Sequence, residues 1–128
     1  MKSTENSENE FYADTYALVE IVRGNPNYAT YESSILFTSR INLLELYYFF
    51  LRNYSVGEAD DYLRQFMNLE INFTINALRR AGMFKLEHKK DKLSYADCAG
   101  YAIAEELGIP FLTGDSKFKG QKNVEYVK

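Results

Sequence analysis

The strongest constraint on this chain is an alternation. Short apolar runs of strand length take turns with longer segments of helical spacing. "FYA" at 11–13 leads to Asp14-Thr15, and "YALVEIV" then continues at helical spacing until Gly24-Asn25-Pro26 stops it. "NPNYATYESS" predicts a second helix, "SILFTS" at 34–39 a buried strand, and "RINLLELYYFFLRNY" a helix after it. "SVGEADDYLRQFMN" reads as an amphipathic helix with Ser55 as N-cap. Leu69, Ile71 and Phe73 at period two make "LEINFT" a candidate strand. A long helix is expected over "INALRRAGMFKLEHKK", and another from Ser94 to Leu107, closed by Gly108. "IPFLT" is then a strand, and "VEYV" one more at an edge.

Strands alternating with helices imply an α/β fold: a mainly parallel sheet with helices on both faces, and a ligand site at the carboxyl ends of the strands. With 128 residues, one domain spanning 1–128 is expected, its first ten residues a frayed polar tail. No repeat, low-complexity tract or linker divides it. No apolar run approaches the roughly 18 residues of a membrane span, and "MKSTENSENE" lacks a signal peptide's apolar core, so no membrane partner is expected and the cytoplasm is the default location. The one cysteine, Cys98, excludes an intramolecular disulfide and a multi-cysteine zinc site, and reads as a small buried thiol.

The helix after "SILFTS" carries apolar residues nearly all round, among them Ile41, Leu43, Leu44, Leu46, Tyr48, Phe50 and Leu51. Such a helix needs cover on most sides, from the core or from a partner. Charge is uneven as well. Arg79 to Lys92 is +4 while the chain as a whole is -3, which permits a local phosphate-binding edge; a solvated helix face is the plainer reading.

Four acids converge in this scheme. From Asp97 the helix runs out by about 15 Å and "IPFLT" returns by about 17 Å, so Asp97 and Asp115 share one edge of the sheet. Asp14 follows a strand and opens a helix, which puts it at the same edge, and Glu45 lies one to two turns into the helix after "SILFTS". Each also has a structural explanation: a helix N-cap for Asp14, a capping box with Ser94 for Asp97, a Gly-containing turn for Asp115, a salt bridge for Glu45. Jointly these explanations are strained. Two like charges ~4 Å apart at an effective dielectric of 20 repel by ~4 kcal/mol. A cap contributes only ~1 kcal/mol. A divalent cation would relieve the repulsion, and an all-oxygen set suits Mg²⁺ or Mn²⁺ bound partly through water. His88, beside Lys89 and Lys90, is expected to be exposed and not a ligand.

These blocks resemble the PIN-domain ribonucleases, in particular the VapC-like toxins of toxin-antitoxin pairs. The matching pieces are "FYADTYALVEI", "TSRINLLELYYFFL" and "LSYADCAGYAIAEELGIPFLTGD", in that order, and they span nearly the whole chain. The resemblance implies a PIN-like three-layer α/β/α domain with four to five strands. It also implies an endoribonuclease in which Asp14, Glu45, Asp97 and Asp115 bind one or two Mg²⁺ or Mn²⁺ ions, and Thr113 orients a carboxylate or water. A homodimer and a cognate antitoxin protein are implied as partners. Some members carry a further acid where this chain has Lys117, which puts a second tight metal site in question. A PIN fold acting in RNA processing or RNA binding, without a toxin role or with weak catalysis, is the alternative. A haloacid-dehalogenase phosphatase would need an acid at position 16, which is Tyr, and a receiver domain would carry its phosphoacceptor after a central strand rather than after the first.

Overall fold

The computed structural model describes residues 9–128. Four parallel strands form one sheet: β1 (Glu10–Ala13), β2 (Ile35–Phe37), β3 (Phe111–Thr113) and β4 (Val124–Tyr126), in the order β2-β1-β3-β4. Five α-helices surround it among the described residues: α1 (Thr15–Arg23), α2 (Arg40–Asn53), α3 (Val56–Met67), α4 (Ile75–Glu87) and α5 (Tyr95–Leu107). Register is set by Tyr12, which pairs with Phe37 on one side and Phe111 on the other. β4 is the outer neighbour of β3, at the edge where "VEYV" is expected.

Alternation along the strands builds the two cores. Phe11 and Ala13 of β1 and Leu112 of β3 pack with Leu18, Leu43, Leu46 and Phe50 on one face. Tyr12 and Phe111 point the other way, to Ala81, Tyr101, Ile103 and Phe118. Helices α1 to α3 cover the first face and α4 and α5 the second, the three-layer α/β/α arrangement. Period-two side-chain alternation in a sheet buried on both faces requires this.

Several expectations are corrected. "LEINFT" is no strand: it makes a single isolated backbone bridge, to Thr38, which accepts from Ile71 N–H at 2.9 Å and donates its own N–H to the Leu69 carbonyl at 3.0 Å. The partner strand ends at Phe37 and α2 begins at Arg40, so no further ladder groups are available to it. "SILFTS" is an outer strand rather than a buried one, with Ile35 exposed and Leu36 and Phe37 half-buried. The segment Pro26–Ser33 is a 3-10 helix whose main anchor is buried Tyr28. The long fourth helix stops at Glu87, and a separate 3-10 turn, Lys89–Asp91, ends on Lys92 in a left-handed conformation. Glu10, assigned to the frayed tail, belongs to β1, and Ile35 N–H donates to the Asn9 carbonyl at 2.8 Å; residues 1–8 of that tail lie outside the described residues. His88 is half-buried against Phe84, with ring centroids 4.1 Å apart. Cys98 is buried.

Helix α2 shows how its apolar sequence is used. Asn42, Leu43, Leu46 and Phe50 are buried, while Leu44, Tyr48 and Leu51 remain exposed. The chain therefore covers one side of it only. No helix among the described residues is long and apolar enough to cross a membrane.

Candidate functional site: an acidic edge

Three of the four acids come from chain positions that the fold brings to the carboxyl edge of the sheet. Asp14 follows β1 and N-caps α1, accepting from Ala17 N–H at 2.9 Å. Thr113 is the last residue of β3, and its hydroxyl donates to Asp14 Oδ2 at 2.6 Å. The same hydroxyl oxygen accepts from Asp115 N–H at 3.0 Å, so one threonine ties the backbone of one acid to the carboxylate of another. Asp115 in turn accepts from Lys117 N–H at 3.0 Å, in the turn that opens Ser116–Phe118. Asp97 closes a capping box: its Oδ2 accepts from Ser94 N–H at 2.8 Å, while Asp97 N–H donates to Ser94 Oγ at 3.0 Å. Glu45, in the second turn of α2, accepts from Thr15 Oγ1 at 2.8 Å and takes part in no ion pair among the described residues.

Cap and cluster are thus not alternatives. Asp14, Asp97 and Asp115 each fill the local structural role expected of them, and they also act on one another. Asp14 is buried, and burial pushes its carboxyl up to about 7; the Thr113 and Ala17 hydrogen bonds oppose this, and the charges of Asp97 and Asp115 add to it. Asp97 is raised as well, first by burial and then by the charges of Asp115 and Glu45, against the Ser94 hydrogen bonds. An acid edge that repels itself in this way favours a cation or a proton.

Among the described residues, no group of three or more His, Cys, Asp or Glu side chains closes to metal-holding distances. The donor set nevertheless suits a hard divalent ion chemically. Every candidate ligand is a carboxylate oxygen, and Asp97, Asp115 and Glu45 each keep one oxygen with no hydrogen bond among the described residues. Oxygen ligands supplemented by water are how Mg²⁺ is usually held.

Two glycines shape this edge. A Cβ at Gly114 would collide with Tyr16 Cε1 and with the Val127 carbonyl oxygen, so a side chain there would displace the turn that carries Asp115. Its requirement is for space, because its φ is not positive, unlike that of Gly24, Gly108 and Gly120. A Cβ at Gly100 would crowd Tyr12 Cε1 at 2.7 Å and Asn42 Oδ1 at 3.2 Å.

Sequence reasoning missed Thr15 and Asn42, whose side chains meet at 3.0 Å beside Glu45. Asn42 is the one polar residue in "INLLEL" besides Glu45 and lies three positions before it, on the same helix face. That spacing is a usable signal. The basic segment is held close to the acids: Lys85 Nζ donates to the Leu93 carbonyl at 2.6 Å and lies 4.6 Å from the Tyr95 ring centroid, and Lys117 Nζ donates to the Lys92 carbonyl at 3.0 Å.

Fold and site together define an α/β/α domain with an acidic edge at the carboxyl ends of a parallel sheet. The chain belongs to the PIN domain family, whose model matches residues 11–123. Members of this family are nucleases and generally use divalent metal ions. Solved structures of the same fold include VapC20 from Mycobacterium tuberculosis, described as a sarcin-ricin loop cleaving toxin. It is 16% identical with TM-score 0.75, over 92% of this chain and 99% of that one. VapBC2 from Rickettsia felis, bound to a DNA fragment from its promoter, is 18% identical with TM-score 0.72, over 93% of this chain and 99% of that one. A toxin-antitoxin complex from Klebsiella pneumoniae is 18% identical with TM-score 0.71, over 89% and 94% of the two chains. A search of curated protein sequences gives no match.

Proposed function

We propose that this protein is a metal-dependent endoribonuclease that hydrolyses RNA phosphodiester bonds, and that it serves as the toxin of a VapBC-type pair. The observation that carries the reading is the convergence of Asp14, Asp97 and Asp115, with Glu45 beside Thr15, on the carboxyl edge of the sheet, an all-carboxylate set of the kind a divalent cation stabilises. Asp14, Glu45, Asp97 and Asp115 would hold Mg²⁺ or Mn²⁺; when bound, such an ion supplies hydroxide from water and neutralises charge on the phosphate. Thr113 fixes the Asp14 carboxylate and the Asp115 backbone in one relative position. Lys85, held at the Leu93 carbonyl and over the Tyr95 ring, and Lys117, held at the Lys92 carbonyl, put positive charge beside the helix start that carries Asp97 and would attract the RNA backbone.

The partners are an antitoxin protein and a second copy of the chain, with the cytoplasm as their common compartment. Support comes from the uncovered side of α2, where Ile41, Leu44, Tyr47, Leu63, Met67 and Phe73 line an apolar groove of about 630 Å³. Exposed apolar surface of this kind marks protein contacts.

Purified protein is expected to cleave RNA with Mn²⁺ or Mg²⁺ and to stop when the ion is chelated. Asp97→Asn keeps an oxygen to accept from Ser94 N–H, so the capping box survives while the charge is lost. Its cleavage rate should fall by roughly 100-fold or more, the scale of losing one electrostatic contributor. Undiminished cleavage by that variant would refute the assignment of the acids. An RNA-binding protein that cleaves nothing would point to the non-catalytic alternative.

A further inference from the structure

A buried hydrogen-bond chain runs from the core to Glu45. Tyr12, fully buried on β1, has its hydroxyl 2.5 Å from Asn42 Oδ1 and 2.7 Å from Ser39 Oγ. Asn42 Nδ2 donates to Thr15 Oγ1 at 3.0 Å, and Thr15 Oγ1 donates to Glu45 Oε1 at 2.8 Å. The distances fix which way the Asn42 amide faces. A contact of 2.5 Å belongs to O–H···O, and 3.0 Å is ordinary for N–H···O. Flipping the amide would force a nitrogen into the short contact.

That orientation gives the chain a direction. A threonine hydroxyl has one proton and two lone pairs. Because Thr15 receives the Asn42 N–H, its own proton is free for an acceptor, and the Glu45 carboxylate at 2.8 Å outcompetes the Asn42 carbonyl at 3.4 Å. Gly100 holds the other side: any Cβ there would press on both Tyr12 and Asn42. Three elements, β1, the start of α1 and α2, therefore agree on one position for Glu45 Oε1.

We infer that Tyr12, Asn42 and Thr15 form a directed positioning relay that holds Glu45 by one oxygen and leaves its other oxygen for a divalent cation. The inference rests on the proposed metal-dependent function. Thr15 is the residue that acts on Glu45, and Asn42 and Tyr12 act through it. None of the three is a ligand. Groups that orient a metal ligand change metal affinity by roughly 10–100-fold when removed.

The test measures Mn²⁺ affinity of the full chain by electron paramagnetic resonance, alongside RNA cleavage. Thr15→Val keeps the shape and deletes the proton, and is expected to weaken Mn²⁺ binding by roughly 10-fold or more. Thr15→Ser, which restores the hydroxyl, should bind within about twofold of the parent, a level set by keeping the donor. Combining Thr15→Val with Glu45→Gln separates relay from general disruption: if Thr15 works through Glu45, the double variant binds no more weakly than Glu45→Gln alone. Tyr12→Phe gives a second, smaller loss in the same direction and covers the case of a Thr15 variant that fails to fold. Parent-like Mn²⁺ affinity in folded Thr15→Val, or full additivity in the double variant, would overturn the relay while leaving the proposed function standing. A parent protein that neither binds Mn²⁺ nor cleaves RNA would overturn both.

Discussion

Asp14 is the acid whose removal gives the sharpest prediction, because its charge is costly in the folded protein. Burial raises its carboxyl from 3.8 to about 7, so between those values the folded chain keeps a proton that the unfolded chain has lost. Where the native state binds more protons, stability falls as pH rises. The penalty begins near pH 4, grows through the window up to about pH 7, and is then constant. Each tenfold gain in proton affinity on folding corresponds to about 1.4 kcal/mol, so the full penalty is about 4 kcal/mol in metal-free protein. Asp14→Asn deletes the charge and keeps an N-cap, since Asn caps helices about as well as Asp. The Asn oxygen can accept from Ala17 N–H, and its amide can donate to Thr113 Oγ1 after the hydroxyl turns. Urea unfolding in the presence of chelator should therefore find the variant more stable than the parent near pH 8. The gap should shrink by more than half on going to about pH 5, where the parent carboxyl is already mostly protonated when folded. Mn²⁺ added near pH 8 should then stabilise the parent more than the variant, by mass action on the native state. A stability difference that does not move with pH, or a variant less stable than the parent near pH 8, would refute the assignment of Asp14 as a buried, electrostatically unfavourable acid.

Two other substitutions probe the scaffold around the site. Gly114→Ala drives a methyl group into Tyr16 Cε1 and the Val127 carbonyl oxygen; unfolding measurements should find it destabilised by about 1–3 kcal/mol, with cleavage reduced because Asp115 is displaced. Phe50→Ala empties a fully buried position stacked on Tyr62 at 5.0 Å, and thermal or urea unfolding should record a loss of about 3–5 kcal/mol.

The placement of the acids was legible in the sequence because it depends on local rules. A strand followed by Asp14 and a helix, and an out-and-back run from Asp97 to Asp115, fix chain direction through helix and strand rise alone. What stayed illegible depends on contacts between distant segments. "LEINFT" has strand periodicity, but pairing needs a neighbour with ladder groups to offer, and Thr38 offers only its own two. "SILFTS" has the composition of a central strand, and nothing local says that β1 and not β2 takes the interior position. Gly114 looked like a turn glycine; its real constraint is the Tyr16 ring, 98 residues earlier in the chain. Thr15 and Asn42, 27 positions apart, gain their meaning only when α1 and α2 meet.

The bond from Thr113 to Asp14 spans 99 positions, and this sets a clock. At about 5–20 residues per second, a ribosome needs roughly 5–20 s after making Asp14 before the threonine that orients it has been made. During that interval β1 can pair with β2, but β3, which brings Thr113 and precedes Asp115, is missing from the sheet. The acidic edge is thus assembled only after Asp115 has been made, about 100 residues after Asp14. A nascent chain built this way carries its first acid without its orienting threonine for as long as that whole stretch takes to be read.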